Sequence, residues 1–403
     1  MTATDGTNSS TEAGPAAPLT STDAAAGGGT GVGGGIGAGA DAGDVSTTVT
    51  RPGRVIGAVA RPPGPGGVTD AAPGRVGEFE AVVRGEYGGI AAGYLDTAAF
   101  GLAPARTVAA MRGALDAWAS GRPDVDGYEA AVAASRTAYA RITGVAPDRV
   151  ALAGTVAQAV GLIAAGLPEA AQVVVAADDF SSLVHPFAGR PGLDLRIVPL
   201  DEVAAAVGPG TALVAVSAAQ SLDGRVADLP AIRAATTAHG ARLLIDGTQS
   251  VGWLPLAPEG YDYLVCHAYK WLVSPHGACF LTVREGLEPT LSPASAGWYA
   301  AADPWNSCYG PIEELAPGAR RFDARPPYLS YVGAAASLAL VEELGVAAVR
   351  AHDLALADRL RSGLTALGHA PVPGDSAIVA VPGMPGSAAA RLNRACPVRP
   401  RPG

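Results

Sequence analysis

The sequence predicts an α/β protein whose mostly parallel sheet carries helices on both faces. Three observations support this fold class: short apolar runs end in turn residues, segments of helical periodicity alternate with them, and apolar residues make up 49% of the 403-residue chain. Short apolar runs of this kind are typical of buried strands, and their alternation with helices favours parallel pairing. The length allows one large domain and a smaller one.

Each expected element has a local pattern behind it. Val108, Met111 and Leu115 recur at the spacing of one helix face, and the other helices show the same periodicity. The expected helices cover residues 107–119, 129–143, 229–239, 329–344, 346–367 and 387–395, and another starts at residue 155. The expected strands cover residues 149–153, 173–176, 212–216, 243–245, 263–266, 278–283 and 378–381.

The first 75 residues differ from the rest in composition. Residues 1–75 consist mainly of Gly, Ala, Thr, Ser and Pro. Such a segment buries too little apolar surface to offset chain entropy, so we expect it to be disordered, with order beginning near Val76. Within it, residues 35–40 (GIGAGA) match a degenerate dinucleotide fingerprint, but no strand precedes them and the match reflects only the abundance of glycine.

Charge and composition narrow the class of partner. A net charge of −9 without a basic cluster argues against nucleic acid. The sequence contains no uninterrupted apolar stretch of about 18 residues, so we expect no membrane span. The N-terminus lacks the basic region and following apolar core of a secretory signal, so we expect a cytoplasmic protein. The four cysteines form no C-x-x-C pair, and neither a disulfide nor a zinc site is expected.

Lys270 is the most informative residue of the chain. Lysine and arginine together number 28, and Lys270 is the single lysine among them. Arginine stays protonated and forms no imine, whereas a desolvated lysine amine acts as a nucleophile. A lone lysine beside an expected strand therefore indicates a Schiff-base lysine, although a chance survivor on a loop is the simpler alternative.

A carboxylate stands two dozen residues upstream of this lysine. Asp246 ends the apolar run 243–245, and Lys270 follows the run 263–266. Both residues then lie just past the carboxyl ends of strands, where open α/β sheets bind their ligands. Pyridoxal phosphate requires this pair of groups: an amine to anchor its aldehyde and an acid to keep its pyridine nitrogen protonated.

These motifs resemble the class V aminotransferase family of pyridoxal-phosphate enzymes, which includes cysteine desulfurases, kynureninases and isopenicillin N epimerase. Residues 245–252 (IDGTQSVG) are similar to the family's strand-D-G-A-Q motif, and residues 94–104 resemble its opening Y-L-D-x-A-A-x-G-x-x-P. The resemblance implies fold type I, a three-layer α/β/α large domain with a smaller α/β domain. It places an N-terminal arm at 76–124, the large cofactor domain at 125–333 and a truncated small domain at 334–403.

The same resemblance implies the residues that hold the cofactor. Thr155 and the backbone amides from Val156 onward match the family's phosphate loop at a helix start. Phe180 stands where the family stacks a flat side chain on the pyridine ring, and Gln220 or Ser221 stands near the ring oxygen. The remaining cofactor-binding positions are Asp246, Thr248, Gln249, His267, Tyr269 and Lys270.

Departures from the family's pattern raise further expectations. Pro326 replaces the family's Thr that crosses a homodimer interface to the phosphate, and Arg325 is either its substitute or a surface arginine. Cys396 lacks the glycine-rich loop expected around a desulfurase nucleophile. The family's substrate-binding arginine and the elements around it have no counterpart before residue 403.

The sequence therefore predicts a pyridoxal-phosphate enzyme that acts on an amino-acid-like substrate. Lys270 and Asp246 are the expected catalytic residues, with Lys270 also carrying the proton at the substrate's Cα. Transamination, β-elimination, racemisation and kynureninase-type cleavage stay open as reactions. The alternative from another class is a cofactor-binding protein with impaired catalysis, because the substrate arginine is absent.

Overall fold

A computed structural model describes residues 74–89 and 94–383. Within them, seven strands form one sheet in the order β1-β7-β6-β5-β4-β2-β3. The strands are β1 (Val150–Ala153), β2 (Gln172–Ala176), β3 (Asp194–Val198), β4 (Thr211–Ser217), β5 (Arg242–Asp246), β6 (Tyr263–His267) and β7 (Cys279–Val283). Strands β3, β2, β4, β5 and β6 pair in parallel, and β7 runs antiparallel between β6 and β1. The mostly parallel sheet predicted from the sequence is confirmed.

Helices connect the strands, and several have strong end signals. They are α1 (Gly74–Tyr87), α2 (Ala105–Ala119), α3 (Val125–Thr143), α4 (Val156–Gly166), α5 (Ser181–Ala188), α6 (Val203–Ala206), α7 (Leu229–His239), α8 (Tyr328–Leu344) and α9 (Val346–Ala366). Asp124 and Asp228 cap the starts of α3 and α7 by accepting backbone N–H groups. Gly144 and Gly240 end the same helices in the left-handed conformation that suits glycine.

Two apolar cores lie on opposite faces of the sheet. Side chains alternate along each strand, so Val174 and Val216 belong to one core, and Val173 and Val175 to the other. The first core includes residues of α3, α7 and α8, and the second includes residues of α4 and α5. Because both faces are covered, the central strands are apolar without interruption, as expected for parallel sheets.

One expected strand is wrong, and one observed strand was not predicted. Residues 378–381 form no strand; a single backbone hydrogen bond of 2.8 Å from Val372 to Ala380 is too little for a ladder. Strand β3 was missed because it pairs only with β2 at the sheet edge and is mostly exposed. Its sequence, DLRIV, therefore lacks the apolar run of an interior strand.

Several expectations concern residues outside the described ranges. One is the disorder predicted for residues 1–75, of which the structure describes only 74 and 75. The others are the expected helix 387–395 and the expectation about Cys396. The division into an arm, a large domain and a small domain stays a prediction. In the part of the chain that the structure describes, no single helix is long and apolar enough to cross a membrane; α8 and α9 reach that length only together, with a bend of 83°.

Candidate active site

A cavity opens at the carboxyl ends of the parallel strands, where the sequence places its candidate residues. Its walls contain nine of them: Thr155, Val156, Phe180, Asp246, Thr248, Gln249, His267, Tyr269 and Lys270. Ser182, Ser217 and Ser221 complete the lining. Gln220 is not part of it. The cavity forms here because β4, β5 and β6 end side by side, so residues distant in sequence converge at one edge.

The amine of Lys270 lies inside this cavity and is largely removed from water. The residue is 5% exposed, and its Nζ is 5.5 Å from the centre of the Phe180 ring and 5.6 Å from that of Tyr269. Burial lowers the pKa of the amine, and the neighbouring Asp246 carboxylate offsets this only in part. A lowered pKa leaves more of the amine neutral and nucleophilic.

Asp246 is the buried carboxylate at the end of β5. Thr248 donates its backbone N–H to Oδ1 at 2.8 Å, and the residue is 3% exposed. The pKa of Asp246 is raised to about 6: burial is the main cause and the charge of Asp179 adds to it, while the Thr248 hydrogen bonds and Lys270 oppose it. A carboxylate in this position favours a cationic partner, which would restore its ionised form.

The start of α4 supplies donors at another wall. Thr155 is the N-cap, and its Oγ1 accepts the Gln158 backbone N–H at 3.2 Å, which leaves the hydroxyl proton free to donate. The Gln158 side chain accepts the Gly154 N–H at 2.9 Å. The unpaired N–H groups of this first turn and the helix dipole favour an anion here.

Phe180 forms an exposed wall that is held by its neighbour Asp179. The residue is 46% exposed and lines the cavity. Asp179 accepts hydrogen bonds from the Ser217 hydroxyl (2.5 Å) and backbone N–H (2.8 Å), and from the Gln220 amide (3.2 Å). Sequence reasoning missed this role of Asp179, for which the only local signal was an acid directly before Phe180.

The two glutamines behave differently. Gln220 points its amide at Asp179 and at the Ser217 carbonyl, so it buttresses the wall while Ser221 lines the cavity. Gln249 donates to the Ala98 carbonyl at 2.9 Å and to the Ser221 hydroxyl at 3.0 Å. Its Oε1 accepts the Trp271 indole N–H at 2.9 Å. Gln249 therefore ties three chain segments together at the cavity edge.

His267 and Tyr269 line the cavity next to Lys270. The Nε2 atom of His267 accepts the Gly277 backbone N–H at 3.1 Å, and the ring packs edge-on to Tyr269 at 4.6 Å. Tyr269 stacks on His276 with the ring centres 3.9 Å apart. Burial, and then the charges of His276 and Lys270, lower the pKa of His267 to about 4, so the imidazole is neutral near pH 7.

Arg325 lies outside the cavity lining. Its guanidinium is 5.7 Å from the centre of the Trp298 ring, a cation–π distance, and the residue is exposed. Its expected role as a phosphate donor between two copies of the chain stays a prediction.

Comparison with known proteins identifies the family. The profile of the family described as Aminotransferase class-V matches residues 93–381. This match covers more than half of the chain, so the protein belongs to the class-V aminotransferase family. The family resemblance carried by the Asp246 and Lys270 motifs is thereby confirmed.

Curated relatives differ in reaction. The chain is 29% identical over 231 residues to the uncharacterized aminotransferase YcbU of Bacillus subtilis (strain 168), covering 54% of this chain and 60% of that protein. It is 32% identical over 203 residues to a kynureninase of Xanthomonas euvesicatoria pv. vesicatoria (strain 85-10), covering 49% and 46%. It is 28% identical over 251 residues to isopenicillin N epimerase of Streptomyces clavuligerus, covering 56% and 63%. The chain thus spans between 46% and 63% of the length of these relatives.

Solved structures share the fold. The apo cysteine desulfurase of Thermococcus onnurineus NA1 superposes with a TM-score of 0.68 at 20% identity, over 79% of this chain and 86% of that one. A C-DES mutant with glycine covalently linked to its PLP cofactor gives 0.66 at 22% identity, over 74% and 84%. These likenesses confirm fold type I. Family membership together with these neighbours implies pyridoxal 5'-phosphate as the cofactor.

The residues of the cavity fit this cofactor. The cavity holds a group suited to each functional group of the cofactor. Lys270, an amine of lowered pKa, would suit the aldehyde, and Asp246, a buried carboxylate, would suit the pyridine nitrogen. The free donors at the start of α4 would suit the phosphate, and the exposed Phe180 would suit the flat ring. These pairings depend on residues from four separate segments that only the fold brings together.

Proposed function

We propose that the protein binds pyridoxal phosphate covalently through Lys270 and acts on an amino-acid substrate as a transaminase-type enzyme. The observation that carries the proposal is the burial of the single lysine and of Asp246 in one cavity. When bound, the cofactor supplies an aldehyde for amino groups and an electron-withdrawing ring beside the substrate's Cα.

The residues of the chain then have distinct tasks. Lys270 anchors the aldehyde and, once displaced by the substrate amine, takes the proton from Cα and returns it. Asp246 keeps a proton on the pyridine nitrogen. Thr155 and the amide of Val156 bind the phosphate. Phe180 covers the ring without transferring protons, because a phenyl group has no titratable atom.

Thr248, Gln249, His267 and Tyr269 complete the proposed cofactor site. Thr248 acts by fixing the Asp246 carboxylate, as its hydrogen bond of 2.8 Å supports. Gln249 acts by orienting Ser221, whose hydroxyl we propose, in place of Gln220, as the group near the ring oxygen. Gln220 acts indirectly, through Asp179.

The experiment uses the fact that only one side-chain amine exists. Purified protein is incubated with pyridoxal phosphate, reduced with borohydride and mapped by peptide mass spectrometry. We expect a visible absorbance band before reduction and a single modified peptide that contains Lys270. The matched control is Lys270→Arg, which keeps the charge but forms no imine. An unmodified Lys270 peptide, or an unchanged band in the variant, would refute the proposal.

The reaction is assigned by its product. The protein is incubated with a panel of amino acids and the products are identified. Transamination releases a keto acid and leaves the amino group on the cofactor. Elimination and kynureninase-type cleavage release the two parts of the broken substrate, and racemisation gives the opposite enantiomer of the substrate. The lyase or isomerase alternative is supported by relatives that include kynureninase and isopenicillin N epimerase. Stable absorbance with every substrate and no product supports the binding-only alternative.

We also propose a homodimer in the cytoplasm that binds neither nucleic acid nor membrane. The family resemblance supports this proposal. The homodimer is also supported by large apolar side chains at the surface, such as Trp305 (59% exposed) and Tyr309 (95% exposed). Light scattering after size-exclusion chromatography distinguishes a dimer from a monomer.

A further inference from the structure

His267 has one ring nitrogen fixed by the backbone and the other free. It is the last residue of β6, lines the cavity and is 9% exposed. Its Nε2 accepts the Gly277 N–H at 3.1 Å. Within the described residues, its Nδ1 makes no hydrogen bond.

This arrangement determines which nitrogen carries the proton. A neutral imidazole has one donor and one acceptor nitrogen. Because Nε2 accepts the Gly277 N–H, the proton of the neutral ring must lie on Nδ1. Protonating Nε2 as well would place two N–H groups against each other, and burial of the ring also opposes the cation.

The donor that fixes the ring is itself held rigidly. Gly277 has φ of +96°, and a Cβ there would lie 2.9 Å from the Ser330 hydroxyl and 3.2 Å from Pro327 Cγ, both at the start of α8. Two residues further on, Cys279 pairs with His267 across the β6–β7 ladder. The helix and the ladder together leave the Gly277 N–H little freedom to turn away.

We propose that His267 is locked as the neutral Nδ1–H tautomer and donates this proton to an oxygen of the cofactor's phosphate. The proposal rests on the proposed function, which places a phosphate monoester in this cavity beside the donors of α4. A phosphate oxygen accepts such a donor strongly without a cation on the ring. The bound anion is then held by dipoles and N–H groups, and the contact does not depend on titration of the imidazole.

Other charged and titratable groups around the ring do not replace this role. Lys270 is committed to the aldehyde, Asp246 repels a phosphate, and the Tyr269 ring lies edge-on to the imidazole. His276 packs against Tyr269 and does not line the cavity. Of the histidines in the described residues, only His267 lines the cavity.

Two substitutions test the roles of the two ring nitrogens separately. In His267→Gln the side-chain oxygen reaches the Nε2 position and keeps an acceptor for Gly277, but the Nδ1 donor is lost. In His267→Asn the side-chain amide takes the Nδ1 position and keeps the donor. Affinity is measured for pyridoxal phosphate and for pyridoxal, which lacks the phosphate.

The expected result is a split between the two ligands. His267→Gln should lower the affinity for pyridoxal phosphate about tenfold, the value for a lost hydrogen bond to a charged group. It should change the affinity for pyridoxal by less than about twofold. His267→Asn should recover most of this loss. His276→Gln, the matched control from the same aromatic cluster, should change both affinities by less than about twofold. Equal losses for both ligands in His267→Gln would overturn the phosphate contact.

The tautomer has its own test, which is independent of the cofactor. Long-range proton–nitrogen NMR on labelled protein distinguishes Nδ1–H from Nε2–H, and His267→Gln assigns the signal among the six histidines. We expect neutral Nδ1–H from about pH 6 to 8, with or without the cofactor. An Nε2–H or doubly protonated ring at pH 7 would overturn the lock. If wild-type protein bound no cofactor at all, the proposed function and the phosphate contact would fail, while the NMR result would still decide the tautomer.

Discussion

The cavity has two unlike walls: the lysine wall, residues 268–277, and the phenylalanine wall, residues 178–182. The lysine wall is buried or half-buried except at His276, and it is bonded to other segments; the Gly101 N–H, for instance, donates to the Tyr269 carbonyl at 2.9 Å. The phenylalanine wall is held mainly by Asp179, and Phe180 is 46% exposed. The chain therefore fixes the nucleophile more tightly than the side chain proposed to stack on the cofactor ring.

Helix α8 explains much of this rigidity. A Cβ on Gly333 would lie 2.4 Å from Pro275 Cγ, so helix and loop are in close contact. One turn further, Ser337 donates to the Val273 carbonyl at 2.9 Å and bonds the Thr107 hydroxyl at 2.7 Å. Since Ser337 has one hydroxyl proton, Thr107 is the donor in their pair. Val273 has φ of +46°, which is strained for a β-branched residue and needs such support.

The largest effect should come from crowding the lysine wall. In Gly101→Ala, the new Cβ would lie 2.0 Å from the Lys270 carbonyl oxygen, so the backbone must move. We expect the free energy of unfolding to fall by at least about 3 kcal/mol, measured by denaturant titration. Gly113→Ala on α2 is the control, because no atom lies within 4 Å of its Cβ, and it should be neutral or stabilising by up to about 1 kcal/mol. Equal stability of the two variants would contradict the close approach.

The sequence predicted some parts of the site better than others, and the difference depends on whether local pattern or tertiary contacts determine each part. Lys270 and Asp246 were predictable because single residue types at strand ends carry their chemistry. Helix α7 was predicted with its observed bounds, 229–239, because apolar periodicity and an Asp cap agree there. The sheet interior was predictable for the same reason, since apolar runs mark buried strands.

Other features had no local signal. The Ser337 and Thr107 hydroxyls meet across 230 positions of sequence, and Asp179 meets Ser217 across 38. Gln220 and Ser221 were indistinguishable as neighbours until the loop geometry turned one towards Asp179 and the other into the cavity. Such choices depend on tertiary contacts rather than on periodicity or residue type.

The second prediction concerns Asp246, which is close to both walls through Lys270 and Asp179. Its pKa is about 6 in the folded protein, against an ordinary value of 3.8. A carboxyl whose folded pKa is raised loses stabilisation as pH rises through that range, because the unfolded chain ionises first. At 1.36 kcal/mol per pH unit, the loss between pH 3.8 and about 6 is about 3 kcal/mol for the cofactor-free protein.

The measurement is the free energy of unfolding against pH for wild type and for Asp246→Asn. Subtracting the two curves removes the other titrating groups. The stability of wild type relative to the variant should fall by about 3 kcal/mol from about pH 3 to 7. A pH-independent difference would show that burial does not perturb this carboxyl.

The third prediction tests the support from α8. Ser337→Ala leaves the Val273 carbonyl and the Thr107 hydroxyl without their partner in a buried place, so we expect a loss of about 1 to 3 kcal/mol in unfolding free energy. Ser330→Ala is the control, since its hydroxyl makes no hydrogen bond within the described residues, and it should change stability by less than about 0.5 kcal/mol. If the hydroxyl chain positions Lys270, Ser337→Ala should also shift the pH midpoint of the cofactor's visible absorbance, while Ser330→Ala should not.

The smallest effect on stability should come from the phenylalanine wall. Phe180→Leu removes an exposed ring, so the free energy of unfolding should stay within about 0.5 kcal/mol of wild type. The loss should appear in cofactor affinity instead, at about 0.5 to 1.5 kcal/mol, the value of an aromatic pair beyond its buried area. Phe180→Tyr keeps the ring and should bind as wild type does, with dissociation constants taken from absorbance titration. A large stability loss in Phe180→Leu would mean that both walls are equally fixed, and the contrast between them would disappear.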